Sequence, residues 1–320
     1  MTLVSKDITK AAAFLNNDEL VSIPTETVYG LAANIFSETA INKIFEMKQR
    51  PLFNPLIVHT YSVEQLDKFV SYIPTKAKLL ADAFWPGSLT MVLPKKSGVP
   101  DLVTAGKPTV GVRIPNHETT LELLQNLDFP LAAPSANPFG SISPTKASHV
   151  KNYFDGKLKM VLEGGSCQNG IESTIVGFEN EEPVLYRLGS ISIEEIESIV
   201  GSIKVKNNKE QAPDAPGMLS RHYAPETHTF LVDNVTEYVK NYPNKKVGVL
   251  LFSQKVSADN IVHTEILSKS GNLKEAAANL YATLHKLDTL DLDIIVAEKF
   301  PEYGLGKSIN DRLLRATKKK

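Results

Sequence analysis

From Lys204 to about Glu226 the chain loses the rhythm of apolar strands and helices that it keeps on either side. Lys206-Asn207-Asn208-Lys209 is polar and Ala212-Pro213-Asp214-Ala215-Pro216-Gly217 is dense in turn formers, so the stretch continues neither element type. With 320 residues and about 150 to a domain, the break predicts one unit over residues 1–205, a linker over 206–228 and a smaller unit over 229–320. Within the linker, Met218-Leu219-Ser220-Arg221-His222-Tyr223-Ala224-Pro225 is more cationic and aromatic than an idle spacer requires, though a plain linker fits its composition as well.

Downstream the pattern reads strand, helix, strand, strand, helix, strand, helix, at Thr229–Val232, Thr236–Asn241, Val247–Phe252, Asn260–Thr264, Asn272–Leu287, Ile294–Ala297 and Ile309–Thr317. This alternation predicts a small, Rossmann-like parallel α/β domain. Gly304-Leu305-Gly306-Lys307-Ser308 looks like the end of a phosphate-binding loop, but Pro301 stands where the full pattern requires Gly. A glycine turn feeding the last helix is the better reading.

Upstream, the stretch from Ile23 to Arg50 organises the larger unit. Pro24 keeps Pro-Thr-Glu-Thr-Val-Tyr-Gly from starting a helix and Gly30 lets it bend, which places the hydroxyls of Thr25 and Thr27 on an extended or turning backbone. Ile41, Ile44, Phe45 and Lys48 follow helical spacing, with Ser37 as N-cap and Glu38 in the first turn. A helix ending at Arg50 would deliver Lys48 and Arg50 to the loop Pro51-Leu52-Phe53-Asn54-Pro55, where they can point at a ligand. Residues 1–20 predict a helix ending at Asn16-Asn17, then a strand Leu20–Ile23; further helices are expected at Ser62–Val70, Thr75–Phe84 and Glu118–Asn126.

Leu56–His59 reads as a strand ending in a histidine, for which an ordinary hydrogen-bonded strand end is the better reading from spacing alone. After a strand Leu89–Leu93, Thr109–Pro115 alternates strictly: Val110, Val112 and Ile114 share one face, Thr109, Gly111 and Arg113 the other. An Arg flanked by Gly and Thr at a strand end is an anion-site candidate. Leu131–Pro138 is almost entirely small residues and prolines, suited to a rigid turn or to a surface on which a flat ligand and its phosphates pack. The hydroxyls of Ser141, Ser143 and Thr145 follow, then strands at Met160–Leu162, Glu172–Val176 and Val184–Arg187 and a closing helix, Ile193–Val200.

A formal net charge of −1 disfavours a strongly basic nucleic-acid surface, leaving room for a local basic cleft. Cys167 is the only cysteine, so there is no intrachain disulfide or thiolate metal site, and a reducing compartment fits. No stretch reaches the roughly 18 apolar residues of a membrane span; the reading is a soluble cytoplasmic protein. Dinucleotide fingerprint, complete nucleotide loop, helical His pair and nucleophile elbow are all missing. What remains is a set of dispersed cations, Lys48, Arg50, Arg113 and Arg187, with many hydroxyls beside Gly and Pro. Such a set suits phosphoryl or nucleotidyl transfer, which gains chiefly from clamping and charge neutralisation, usually with Mg²⁺.

Seven ordered motifs carry a resemblance. Pro-Thr-Glu-Thr-Val-Tyr-Gly-Leu, Lys-x-Arg-Pro with Asn54-Pro55-Leu56-Ile57-Val58-His59, Phe84-Trp85-Pro86-Gly87, Thr-Val-Gly-Val-Arg-Ile-Pro, Ala-Pro-Ser-Ala-Asn, Ser-Pro-Thr and Glu-Ser-Thr-Ile-Val closely resemble the YrdC-type threonylcarbamoyl-AMP synthases. The Arg-His-Tyr-Ala-Pro linker and the trailing α/β unit resemble that family's long, two-domain form. The resemblance implies a twisted open mixed sheet with a concave, positively charged cavity in which L-threonine, bicarbonate and ATP become threonylcarbamoyl-AMP and pyrophosphate. The product would pass to a downstream tRNA threonylcarbamoyl-transferase complex that modifies the adenosine beside the anticodon. It also implies roles: Lys48, Arg50, Asn54, Thr109, Ser135, Asn137, Ser143 and Arg187 on ATP; Thr27, His59, Arg113, Ala133 and Ser173 on threonine; Arg221, His222 and Tyr223 as a lid. Mg²⁺ is expected to arrive with ATP, without a protein ligand set.

Gly177 stands where the family commonly has Asp, and Leu188-Gly189 follows Arg187 where Pro-Gly is usual. The competing readings are a double-stranded RNA- or nucleotide-binding module, with at most a weak RNA contact in the synthase, and a hydrogenase-maturation carbamoyltransferase, whose cysteine clusters are missing here. On the synthase reading, Arg50→Ala is expected to abolish turnover and leave the fold intact.

Overall fold

The computed structural model describes residues 1–206 and 222–318. The first unit runs β1 (Leu3–Ser5), α1 (Ile8–Asn16), β2 (Val21–Ile23), β3 (Gly30–Asn34), α2 (Glu38–Lys48), β4 (Ile57–His59), α3 (Thr75–Phe84), β5 (Leu89–Pro94), α4 (Asp101–Thr104), β6 (Thr109–Arg113) and α5 (Glu118–Gln125). It continues through β7 (Leu131–Ala132), α6 (Ala147–Phe154), β8 (Met160–Leu162), β9 (Thr174–Glu179), β10 (Glu182–Arg187), α7 (Ile193–Val200) and β11 (Lys204–Val205). Among the described residues these strands form one mixed sheet in the order β1-β8-β2-β3-β7-β4-β6-β5-β9-β10-β11.

The second unit contains β12 (Thr229–Val232), α8 (Val235–Val239), β13 (Val247–Leu251), β14 (Ile261–Ile266), α9 (Leu273–Asp288), β15 (Ile294–Glu298) and α10 (Leu305–Ala316). Its sheet, β12-β15-β13-β14, is parallel throughout, as the alternating pattern predicts. No described helix is long and apolar enough to cross a membrane.

Several short elements depart from the sequence reading. β1 precedes the first helix, and β3 occupies the small-residue run after Gly30. Neither shows a period of two, because β1 is too short and Leu31, Ala32 and Ala33 in β3 are all buried. The helix expected at 62–70 is a short 3-10 segment, Glu64–Lys68. α10 begins at Leu305, so the glycine turn is its first turn. There, a Cβ on Gly306 would stand 2.0 Å from the Pro301 oxygen; Lys307 pairs with Glu194 at 2.8 Å and the Ser308 hydroxyl donates to the Gly189 oxygen at 2.8 Å. Those groups are spent on packing rather than on a phosphate.

Apolar side chains cover both faces of the large sheet. Leu31, Ile44, Val58, Met91 and Val112 share one cluster, and Leu15, Val21, Ile23, Leu123 and Met160 another. In the small unit, α9 and α10 bury Leu280, Leu284, Ile309 and Leu313 against Leu250 and Ile295 of its sheet, and the same cluster takes in Val28, Ile142 and Ile171 of the first unit and Tyr223 of the linker. One core therefore runs across the junction.

His149 of α6 and His285 of α9 stack across that junction with ring centroids 3.9 Å apart. Burial pushes them down to about 3 and about 4, and the His285 ring further disfavours charge on His149. Both native values lie below the ordinary histidine range, so the unfolded chain binds more protons as pH falls below about 6.5. Stability is full above that pH and is lost as pH falls toward the native values. The thermal midpoint is expected to drop between pH 7 and pH 5, and less so in His149→Phe; a flat profile in the parent chain would refute the assignment.

Candidate active site

Two close backbone approaches build the site. The small-residue run lies along the opening motif: Leu31 N–H donates to the Pro134 oxygen at 2.7 Å, Ala136 N–H to the Tyr29 oxygen at 2.8 Å and Ala133 N–H to the Ile57 oxygen at 3.0 Å. Small side chains are required here, since even a Cβ on Gly30 would stand 3.1 Å from that of Ala133. The resulting cavity is lined by Thr27, Arg50, His59, Arg113, Ala133, Ser135, Ser173, Arg187, His222 and Tyr223, together with Thr25 and Glu172.

α2 delivers the first cations, but not as free loop charges. Ser37 caps it by accepting from Ala40 N–H at 3.2 Å, and Gln49 ends it in the left-handed region at φ 52°. Lys48 is buried inward, its ammonium donating to the Ser135 and Asn137 carbonyl oxygens. Arg50 turns into the cavity wall and donates to the Asn54 and Pro55 oxygens at 3.2 and 2.8 Å. Burial lowers both groups: Lys48 falls well below its usual range, helped by Arg50, and Arg50 falls to about 9, helped by Arg187. Mutual repulsion among desolvated cations makes this wall a receptor for a multiply charged anion.

Arg113, another cation of the cavity lining, is already oriented. Its guanidinium donates to the Thr27 hydroxyl at 2.9 Å and to the Gly87 oxygen at 3.1 Å, and meets the Glu26 carboxylate at 2.7 Å. Arg113 and Glu26 are both buried, so the pair is little screened by water. His59 places Nδ1 3.3 Å from its neighbour's carbonyl, that of Ile57. With the proton on Nδ1, Nε2 remains an acceptor, and burial with Arg113 nearby holds the ring near 3, neutral at any working pH. This histidine is bonded at a strand end and also lines the cavity.

Ser173 precedes β9 and Arg187 ends β10; the Arg187 guanidinium donates to the Ser173 oxygen at 2.8 Å and to its hydroxyl at 3.1 Å. His222 and Tyr223 of the linker line the cavity, and among the described residues the buried Tyr223 hydroxyl has no hydrogen-bond partner. Burial, then Arg50 and Lys48, drive His222 well below its usual range. Arg221, the third residue expected in the lid, lies outside the described residues.

Five expected residues do not line the cavity: Lys48, Asn54, Thr109, Asn137 and Ser143. Lys48 instead holds the Ser135 and Asn137 carbonyls. Asn54 is fully buried, and among the described residues neither polar atom of its side-chain amide has a hydrogen-bond partner. The Asn137 amide nitrogen is spent on the Pro138 and Ser141 oxygens, and the Ser143 hydroxyl donates to Glu172 at 2.6 Å. Thr109 is half-buried at the far end of β6 from Arg113.

Sequence reasoning passed over Glu26, Glu172 and Arg312. Glu172 accepts from Ser143, from the Tyr281 hydroxyl at 2.8 Å and from Arg312 Nε at 2.9 Å. Burial alone would raise it, but Arg312, Arg187 and the two hydroxyls outweigh that and hold the carboxyl below its usual range. Separations of 109 and 140 residues hide these partners from any local pattern. The one signal was Glu172 itself, an acid beside an otherwise cationic set.

The comparisons with known proteins cover both units. A family model described as telomere recombination matches residues 13–189, and one described as threonylcarbamoyl-AMP synthase, C-terminal domain, matches residues 191–317. The threonylcarbamoyl-AMP synthase of Pyrococcus abyssi is 41% identical over 321 residues, covering 96% of this chain and 93% of that protein. That of Bacillus subtilis is 39% identical over 319 residues, covering 97% and 92%. The crystal structure of P. abyssi Sua5 complexed with L-threonine matches with a TM-score of 0.92 at 39% identity, covering 99% of this chain and 97% of that one. Similar in sequence and fold to synthases along nearly its whole length, the chain belongs to the threonylcarbamoyl-AMP synthase family.

Proposed function

We infer that this cavity joins L-threonine, bicarbonate and ATP into threonylcarbamoyl-AMP, with release of pyrophosphate and water, for threonylcarbamoylation of tRNA. The observation that carries the reading is one cavity lined both by the desolvated cations Arg50 and Arg187 and by Arg113, pre-oriented on Thr27, together with His59. In this reading the triphosphate lies on the cation wall and ordered small-residue run, with Lys48 holding the carbonyls of Ser135 and Asn137 in place. Threonine lies with its carboxylate toward Arg113 and its hydroxyl toward His59 and Ser173. The amine takes up the carbon of bicarbonate to give a carbamate, whose oxygen attacks the α-phosphorus as pyrophosphate leaves. The protein supplies orientation and charge neutralisation rather than a nucleophile.

Among the described residues no group of three or more His, Cys, Asp or Glu side chains is placed to hold a metal, and Glu172 is saturated by its partners. In this reading Mg²⁺ arrives with ATP as part of the substrate. Transfer of the labile product to a tRNA-modifying complex in the cytoplasm completes the proposal, and the buried free thiol of Cys167 is compatible with that compartment. An RNA-binding module is not favoured, since the synthase relatives match along the whole chain.

The test is pyrophosphate release from Mg²⁺-ATP by the purified chain, with threonine and bicarbonate omitted in turn. Release is expected only when both are present. Release that ignores threonine would overturn the reading.

A further inference from the structure

The molecule's largest fully buried side chain is a cation from the C-terminal unit, Arg312 of α10. Its Nε donates to Glu172 at 2.9 Å and its Nη2 to the Leu188 oxygen at 2.6 Å, while Nη1 meets Asp311 at 2.6 Å. The same guanidinium lies 5.0 Å from the ring centre of Tyr223, which in turn stacks on Tyr281 at 5.5 Å. Glu172 immediately precedes Ser173, and Leu188 immediately follows Arg187. One planar fork therefore grips the neighbours of two cavity residues and the ring of the linker residue that lines the same cavity.

We propose that Arg312 is a positioning residue for the synthase site, supplied in cis by the C-terminal unit, which fixes Ser173, Arg187 and Tyr223 relative to one another. The proposal rests on the functional reading above. Packing alone does not call for an arginine here, because a buried ion pair costs desolvation that an apolar side chain of similar volume avoids. A guanidinium does offer several donors in fixed geometry, which an apolar residue cannot.

Arg312 also neutralises Glu172, the carboxylate on the cavity wall. With that cation gone, the nearest strong attraction for the Glu172 charge is Arg187, so a cation meant for phosphate would be drawn to the wall. Loss of Arg312 is thus expected to act on ligand affinity through charge as well as through position.

The experiment compares the full-length parent with Arg312→Met, Glu172→Gln, the double variant and Leu313→Ala. Leu313 is buried in the same helix, has no polar side-chain atom with which to bond Glu172, Leu188 or Asp311, and serves as the stability control. Affinities for α,β-methylene-ATP and for L-threonine are measured by calorimetry below each variant's thermal midpoint. Arg312→Met is expected to weaken the nucleotide at least about tenfold, and adding Glu172→Gln to recover most of that loss. Leu313→Ala is expected to lower the midpoint but leave both affinities within about twofold.

Parent-like affinities in Arg312→Met, or equal losses in Leu313→Ala, would overturn the proposal. If Arg312→Met does not fold, Arg312→Lys carries the comparison, since it keeps the charge and loses the fork; unchanged affinities there would reduce Arg312 to a charge. The binding arms stand apart from turnover, so a chain that binds nucleotide but ignores bicarbonate would sink the functional reading and leave this one measurable.

Discussion

Arg50→Ala should lower kcat/KM for ATP by about 100- to 1000-fold, the usual cost of removing one preorganised charge-stabilising donor from a site excluded from water. Among the described residues Arg50 meets carbonyl oxygens, of Asn54 and Pro55, and no carboxylate, so its charge is left for a ligand. The same contacts revise the expectation of an untouched fold. Two carbonyls lose their donor in the alanine variant, which should cost about 1–3 kcal/mol of stability. Pyrophosphate release and thermal unfolding measured together separate the effects, and Arg50→Lys should restore part of the rate but little of the geometry. Turnover within about threefold of the parent in folded Arg50→Ala would remove Arg50 from the site.

Gly189→Ala should be the most damaging single-methyl change near the cavity. A Cβ there would stand 2.3 Å from Ser173 C and Thr174 N and 2.5 Å from the Ser173 oxygen, all backbone atoms that cannot swing aside. Overpacking of this kind costs about 1–3 kcal/mol or more. The displaced residue is the one whose carbonyl and hydroxyl Arg187 holds, so threonine and ATP affinities should fall together, by about tenfold or more by that energy. Gly98→Ala is the control, with nothing within 4 Å of its added methyl. Equal behaviour of the two variants in thermal unfolding and binding would show that the β9–β10 corner tolerates movement.

The sequence shows local matters well and distant ones poorly. α2 was legible to its capping serine because a cap and a three-to-four spacing are both local signals. The alternation of β6 placed Arg113 opposite the valines, and the small-residue run was recognisable as a surface of close approach. The direction of Lys48 was not: helical spacing puts it near the loop but cannot show that its ammonium turns inward to two carbonyls. Glu26 was quoted in a motif without a role, and its pairing with Arg113 depends on strand order rather than on neighbours in the chain. The motifs carried most of the site, whereas the Glu172 network depends on how the second unit docks.

The merging of cores at the junction bears on how such chains can be recombined. Val28, Ile142 and Ile171 lose their cover if the C-terminal unit is removed, and α9 and α10 lose theirs. A hybrid that joins one relative's first unit to another's second through a well-matched linker would still place foreign side chains against this apolar seam. Compatibility would then be decided by the facing residues, Gly170 with Ala277 and Ala278 and Glu172 with Arg312 among them, rather than by the linker. Exchange of whole units as cassettes should fail more often than exchange of surface loops, unless the seam is transplanted with them.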